Sequence, residues 1–444
     1  MTTFDQILPA ASEVLEAHRG AVDKLDWLLL NRDLNSRVRL IVPAAVEGDN
    51  TLHAEVMAVA GALATKLAPH AYPLETSVLF EENRELASEG GSACALDGFS
   101  QVWVVDRLAT EADWARIAPE SSGAPRVVFF SIKGGVGRST ALAATAWHLA
   151  QSGKRVLVLD LDLESPGLSS ALLPTERQPT YGIADWLVED LVDNAAAVFD
   201  DMIASSILSH DGEIFVVPAH GVEPGEYLAK LGRAWMPKLQ ADGRREPWSA
   251  RLLRLLEALE ARIQPDVVLI DSRSGLDEIA SACVTDMGAR LILLFALEGD
   301  QTWNGYRMLF EQWRRAGVAE AIRERLQIVG AIVPELDRVS YQEGLREHAY
   351  QVFLDTLYDE IAPAAAGPGP DGTWQVGSPG DEWSFDEADE TAPHTPWAVN
   401  WHRSFSGLRS LQGRLALIDP QEVQLIFGPL LDGVGHATDV LRSP

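Results

Sequence analysis

Between Arg126 and about Asp359 the chain alternates short, continuously apolar runs with stretches of helical period. The runs are RVVFFSI, RVLVLDLD, EIFVVPA, DVVLIDS, ARLILLFAL and LQIVGAIVP. A strand that is apolar on both sides is covered on both faces, so runs of this kind separated by helices predict an α/β fold with a doubly wound, mostly parallel sheet. Ligands in that architecture sit at the carboxyl ends of the strands. Residues 1–120 read as a separate, small N-terminal α/β domain. Its helical opening runs from Phe4 to His18, a strand RVRLIVPA starts at Arg37, a helix covers Leu52 to Leu67, and TSVLFEE and QVWVVDR are further strands. The stretch APESSGAP, Ala118 to Pro125, closes it. With no chemical motif inside it, this domain is assigned to docking or dimerisation.

Residues 126–359 are then the sheet domain, and beyond Glu360 the pattern loosens. No lysine or arginine lies between Arg346 and Arg403, and six acids fall between Asp381 and Glu390, so residues 360–400 read as an acidic Pro/Gly/Trp linker. The alternative is a partner-binding segment anchored by Trp374, Trp383 and Trp397. Residues 401–444 carry two closing helices that pack on the sheet domain.

Charge narrows the possible partners. With 65 acidic against 36 basic residues in 444, the formal charge is −29. Such a surface repels phosphate backbones and anionic lipid, which disfavours nonspecific DNA or membrane binding. A local patch around Arg244, Arg245, Arg251 and Arg254 stays open as a nucleic-acid contact. Two isolated cysteines, Cys94 and Cys283, form neither a disulfide framework nor a metal or iron–sulfur site, and both are expected as buried small hydrophobes. The absence of a secretory pattern and of a spanning apolar run makes the expected location cytoplasmic.

The chemistry concentrates in FFSIKGGVGRSTALAATAWHLA, residues 129–150. An apolar strand runs into a glycine-rich turn and then a helix expected to stop at Gly153. Phosphate binding needs inward backbone N–H groups, no obstructing side chains and a helix N-terminus behind. Gly134, Gly135 and Gly137, with Val136 between them, provide the clearance, and Ser139 and Thr140 open the helix. The strict GxxxxGK[ST] pattern fails twice, because Ile132 stands at the first glycine and Arg138 at the lysine.

The form that fits is KGGxGK[ST], and here the chain resembles the ParA/MinD family of dimerising P-loop ATPases, in a KGGVGR variant. The resemblance implies ATP and Mg²⁺ as cofactors and an ATP-dependent homodimer. Lys133 takes the position of the family's signature lysine, which reaches the partner's phosphates, and Ser139 would bring its hydroxyl to Mg²⁺. In VLVLDLDLESPGLS, Asp162 would orient the attacking water while Asp160 supports the metal and the fold. In QPDVVLIDSRSGLDE, Asp271 is the Walker B acid that holds the metal through water. Arg273 either contacts the γ-phosphate or pairs with Asp277, the pair being favoured. Relatives offer an asparagine to the adenine near GAIVPEL, where Val333 and Pro334 have none.

Arginine keeps the positive charge of the missing lysine but is larger, so binding should survive while hydrolysis slows. Loss of function by drift does not explain why Lys133, Ser139, Asp160, Asp162 and Asp271 all remain. The expected function is a slowly hydrolysing ATPase that acts as a molecular switch on an unidentified protein partner. The alternative is a catalytically silent nucleotide-binding module in a bacterial signalling or defence-like system. Reductases and metal pumps of the same superfamily are disfavoured by the missing cysteine pair, and tyrosine kinases by the missing terminal tyrosine cluster.

Overall fold

The computed structural model describes residues 2–109, 113–360, 367–368, 374–375, 382–405 and 410–439. They form two compact units, Met1–Arg116 and Ile117–Pro444.

The first unit is built on a five-stranded sheet. Its strands are β1 (Leu28–Arg32), β2 (Val38–Pro43), β3 (Val78–Glu81), β4 (Ser92–Ala95) and β5 (Val102–Asp106), in spatial order β3-β2-β1-β5-β4. The β1–β2 hairpin is closed by Asp33, whose Oδ1 accepts the N–H groups of Asn35 and Arg37 at 2.9 and 2.8 Å. Helices α1 (Ile7–Ala17) and α2 (Asn50–Leu67) bury their apolar stripes on one face of this sheet, around Ile7, Leu15, Leu30, Leu40, Val59 and Val104. Asp49 starts α2 by accepting the N–H groups of Thr51 and Leu52. Strand β1 sits at the centre of the sheet, although LLLNR has neither the length nor the alternation that marks a strand in sequence. Pairing on both sides, to β2 and β5, is what makes it one.

The second unit carries an eight-stranded sheet. Its strands are β6 (Arg126–Ser131), β7 (Arg155–Asp160), β8 (Ala204–Ser205), β9 (Glu213–Val217), β10 (Val267–Ser274), β11 (Leu291–Ala296), β12 (Leu326–Val333) and β13 (Trp397–Asn400). The order is β13-β12-β11-β6-β10-β7-β9-β8, and every pair is parallel except β8 with β9. The six apolar runs thus form a doubly wound, mostly parallel sheet, and the segment from Val127 to Phe130 is fully buried. After β6, helix α3 (Arg138–Gln151) presents Ala141, Leu142, Ala144 and Leu149 to the core. Its short side chains let it lie close to the sheet on one side and to the last helix on the other. The helix ends with Gly153 at φ +83°, a conformation that a side chain disfavours.

The tract read as an acidic linker differs over its described part. Trp397–Asn400 pairs with β12 as an edge strand, and Trp397 lies against Gly433 of the terminal helix, Pro420–Asp439. Trp383 packs edge-on to Tyr358 and Phe385, with ring centroids 5.2 and 5.4 Å away, beneath the Arg323 guanidinium. Trp383 and Trp397 are therefore engaged by their own unit, because ring burial there removes apolar area that an open linker would leave in water. The side chain of Trp374 and residues 376–381 lie outside the described residues.

Candidate nucleotide site

The site is assembled where β6, β7 and β10 end side by side. The parallel register sets Asp271 opposite both Phe129 and Asp160. From Ile132 the chain turns through the glycines into α3. Gly135 and Gly137 take φ +76° and +79°, the left-handed region that glycine enters without strain. Gly134 lies so close to the end of β10 that a Cβ there would come within 3.3 Å of Ser274 Oγ. The result is an unobstructed loop, including Val136, whose amides precede the N-terminus of a fourteen-residue helix, the arrangement that holds phosphate. Ile132, which replaces the expected first glycine, packs on Gly305, where a Cβ would approach it to 2.5 Å.

The side chains around this loop differ sharply in exposure. Lys133 is exposed at the start of the loop, and Ser139 and Thr140 are half-buried in the first helical turn. Arg138 is buried. Its Nε donates to Asp271 Oδ1 at 2.7 Å, its Nη1 to Ser131 Oγ at 3.2 Å and its Nη2 to Asp162 Oδ2 at 3.3 Å. Burial pulls the guanidinium's pKa down, but Asp271 and Asp162 outweigh it and the net direction is upward. Ser131 has no signal in the sequence, since a serine that ends an apolar strand is unremarkable until the arginine side chain is seen beside it.

The two acids of D-x-D are not equivalent. Asp160 is fully buried and turned toward the backbone of its own loop, accepting the N–H of Asp162 at 3.3 Å, of Gly167 at 3.3 Å and of Leu168 at 3.1 Å. Burial, then the charges of Asp271 and Asp162, pushes its carboxyl up to about 7. The residue given the joint role of metal and fold support is here seen shaping the loop. Asp162 lies beyond the strand end, and its Oδ1 is buried without a hydrogen-bond partner among the described residues. Burial raises its carboxyl as well, with Arg138 opposing. An orphaned carboxylate oxygen, a buried Asp271 and the Ser139 hydroxyl position at a helix start are the oxygen donors that a hydrated Mg²⁺ beside a phosphate requires, so these residues fit that ion.

Arg273 pairs with Asp277 at 2.9 Å and also with Glu164 at 2.7 Å. The second partner was not read from the sequence. It ties the loop after β7 to the loop after β10. Tyr227 donates to the Leu163 carbonyl at 2.7 Å, so the Tyr227–Ala234 helix also touches the first of these loops.

The arginine patch offered by the sequence as a nucleic-acid contact is corrected by the structure at Arg251 and Arg254. Arg251 is fully buried, bonded to Asp190 at 2.8 Å and to the carbonyls of Met236 and Leu187. Arg254 reaches Asp190 and Glu246 at 2.9 and 3.0 Å, and Arg244 pairs with Asp242. Arg251 and Arg254 are thus answered by Asp190 and Glu246, which fold against them, whereas Arg244 and Arg245 stay exposed. The expectation for cysteines holds at Cys283, which is buried, while Cys94 is only half-buried. Among the described residues no helix is long and apolar enough to cross a membrane.

Strand order, phosphate loop and carboxylates define a P-loop nucleotide-binding protein. The family model described as the CobQ/CobB/MinD/ParA nucleotide binding domain matches residues 127–352, and the chain belongs to that family. It is 29% identical over 239 residues to the chromosome partitioning protein ParA of Caulobacter vibrioides, covering 52% of this chain and 77% of that one. It is 30% identical over 223 residues to the septum site-determining protein MinD of Escherichia coli, covering 50% of this chain and 64% of the relative, less than two thirds of its length. A solved structure of pNOB8 ParA aligns over 72% of this chain and all of that one, at 15% identity and a TM-score of 0.42.

Proposed function

We propose that this protein binds ATP with Mg²⁺, pairs with a second copy of itself in the ATP state, hydrolyses slowly, and through that cycle switches a partner protein. The observation that carries the reading is the open glycine cradle ahead of α3 with Asp162 and Asp271 converging beside it. Backbone N–H groups of residues 134–139 bind the phosphates, and Asp162 orients water. Bound Mg²⁺ supplies neutralisation of charge on the phosphoryl oxygens, held by Ser139 and, through water, by Asp271. An exposed Lys133 supports a role across a dimer interface, since nothing of its own chain needs to be displaced for it to reach a second molecule. The first unit is assigned to docking or dimerisation.

Light scattering with ATP, ADP or no nucleotide, with phosphate release followed in parallel, tests this. The expected result is an ATP-dependent doubling of mass that Lys133→Ala abolishes and Asp162→Ala prolongs. Folded protein that takes up no nucleotide in calorimetry sinks the reading. A silent nucleotide-binding module is the second reading, favoured by one observation: Arg138 already occupies both catalytic carboxylates. Nucleotide uptake and dimerisation without any phosphate release would select it.

A further inference from the structure

Arg138 stands at the first residue of α3, yet its guanidinium turns inward to Asp271, Asp162 and Ser131 rather than toward the phosphate loop. Its Nε and Nη2 thus lie on the two carboxylates beside which a nucleotide-bound metal would sit. A guanidinium is suited to this because its donors are spread over a rigid plane and engage two acceptors at once, whereas an ammonium is a compact point charge. Among the described residues no group of three or more His, Cys, Asp or Glu is disposed to hold a metal unaided.

We propose that Arg138 is a tethered counter-cation that keeps a divalent metal off Asp162 and Asp271 until phosphate oxygens draw the guanidinium away, so that metal and nucleotide enter together. The inference rests on the nucleotide-binding reading above and adds an order to it. The guanidinium takes the Asp271 Oδ1 that a water of the metal's shell would need, and like charges a few ångströms apart repel in a site as buried as this one. Phosphate is the one incoming group that attracts both, because a triphosphate offers oxygens to each cation separately. Coupling of this kind is reciprocal: the factor by which nucleotide raises metal affinity is the factor by which metal raises nucleotide affinity. A lysine there would bring one compact charge on three convergent donors, so the planar spread of donors over Asp271, Ser131 and Asp162 belongs to the arginine in particular.

The probe is Mn²⁺ with the full chain and no nucleotide, free Mn²⁺ being read by electron paramagnetic resonance. Arg138→Ala is expected to bind Mn²⁺ at least about tenfold more tightly than wild type, about 1.4 kcal/mol. Adding Asp162→Asn to Arg138→Ala should remove that gain, and Arg138→Lys should lie between wild type and Arg138→Ala. Equal Mn²⁺ affinity in wild type and Arg138→Ala overturns the proposal, as does a gain that survives Asp162→Asn. Where circular dichroism shows Arg138→Ala unfolded, Arg138→Gln and Arg138→Lys carry the same comparison, since both keep an aliphatic stem where alanine leaves only a methyl. A fluorescent ATP analogue forms the second arm, with EDTA or with Mn²⁺. Failure of the analogue to bind under either condition refutes the nucleotide reading and leaves the Mn²⁺ comparison standing.

Discussion

Arg251→Ala distinguishes a buried structural arginine from a surface one that waits for DNA. In the folded protein its guanidinium is fully buried, with Nε on Asp190 at 2.8 Å and Nη1 on the Met236 carbonyl at 2.6 Å, and Nη2 on the Leu187 carbonyl. Removal takes the guanidinium's donors away from both carbonyls. Asp190 keeps Arg254 at 2.9 Å and Lys238 at 3.2 Å, so its charge is not abandoned. Breaking a buried ion pair from one side costs about 3–5 kcal/mol, and the two remaining cations put this case near about 3 kcal/mol. With a urea dependence of up to about 3 kcal/mol per M for small proteins, the midpoint should fall by about 1 M. Urea unfolding followed by tryptophan fluorescence reads it close to the event, since Trp235 and Trp248 stand edge to face 5.1 Å apart beside this network. Arg244→Ala, from an exposed pair, is the control and should change stability by at most about 1 kcal/mol. Labelled duplex at low salt should bind Arg251→Ala no more weakly than wild type. An unchanged midpoint together with reduced DNA affinity would refute the burial argument.

Two further outcomes follow from the same structure. The Asp160 carboxyl, raised by burial from 3.8 to about 7, binds more protons folded than unfolded between those values, so its stabilising contribution is present below about pH 4 and is lost as pH rises through about 7. Asp160→Asn, neutral throughout, should therefore gain on wild type in chemical denaturation from pH 4 to 7 by at most about 4 kcal/mol and level off above; a difference independent of pH would show that the carboxyl is ionised throughout. Gly433→Val should lower thermal stability by about 1–3 kcal/mol, because a Cβ there overlaps the Trp397 indole. Hydrogen exchange should localise the loss to 397–400 and the terminal helix, and wild-type protection there would show that the edge strand is not seated on it.

The Arg273 pairs bear on how such a site communicates. Glu164 and Asp277 belong to the two loops that follow β7 and β10, and a single guanidinium holds both. Tyr227 adds the Tyr227–Ala234 helix to that contact through the Leu163 carbonyl. The loop carrying Asp162 is thereby tied to two neighbouring segments.

The sequence by itself determined the doubly wound sheet and the phosphate loop. Both are local: continuous apolar runs report burial on two faces, and Gly135 and Gly137 report a turn that only glycine enters easily. It also carried the family, since the loop and the carboxylates keep their spacing around the strands. What Arg138 touches was decided by tertiary structure, because Asp271 lies 133 residues away and Asp162 lies 24 away, and only strand order brings them together. The same holds for β1 and β13, whose strand character comes from neighbours that pair with them. A charge counts equally in composition whether it faces water or another charge, so the arginine cluster read as a surface until Asp190 folded against it.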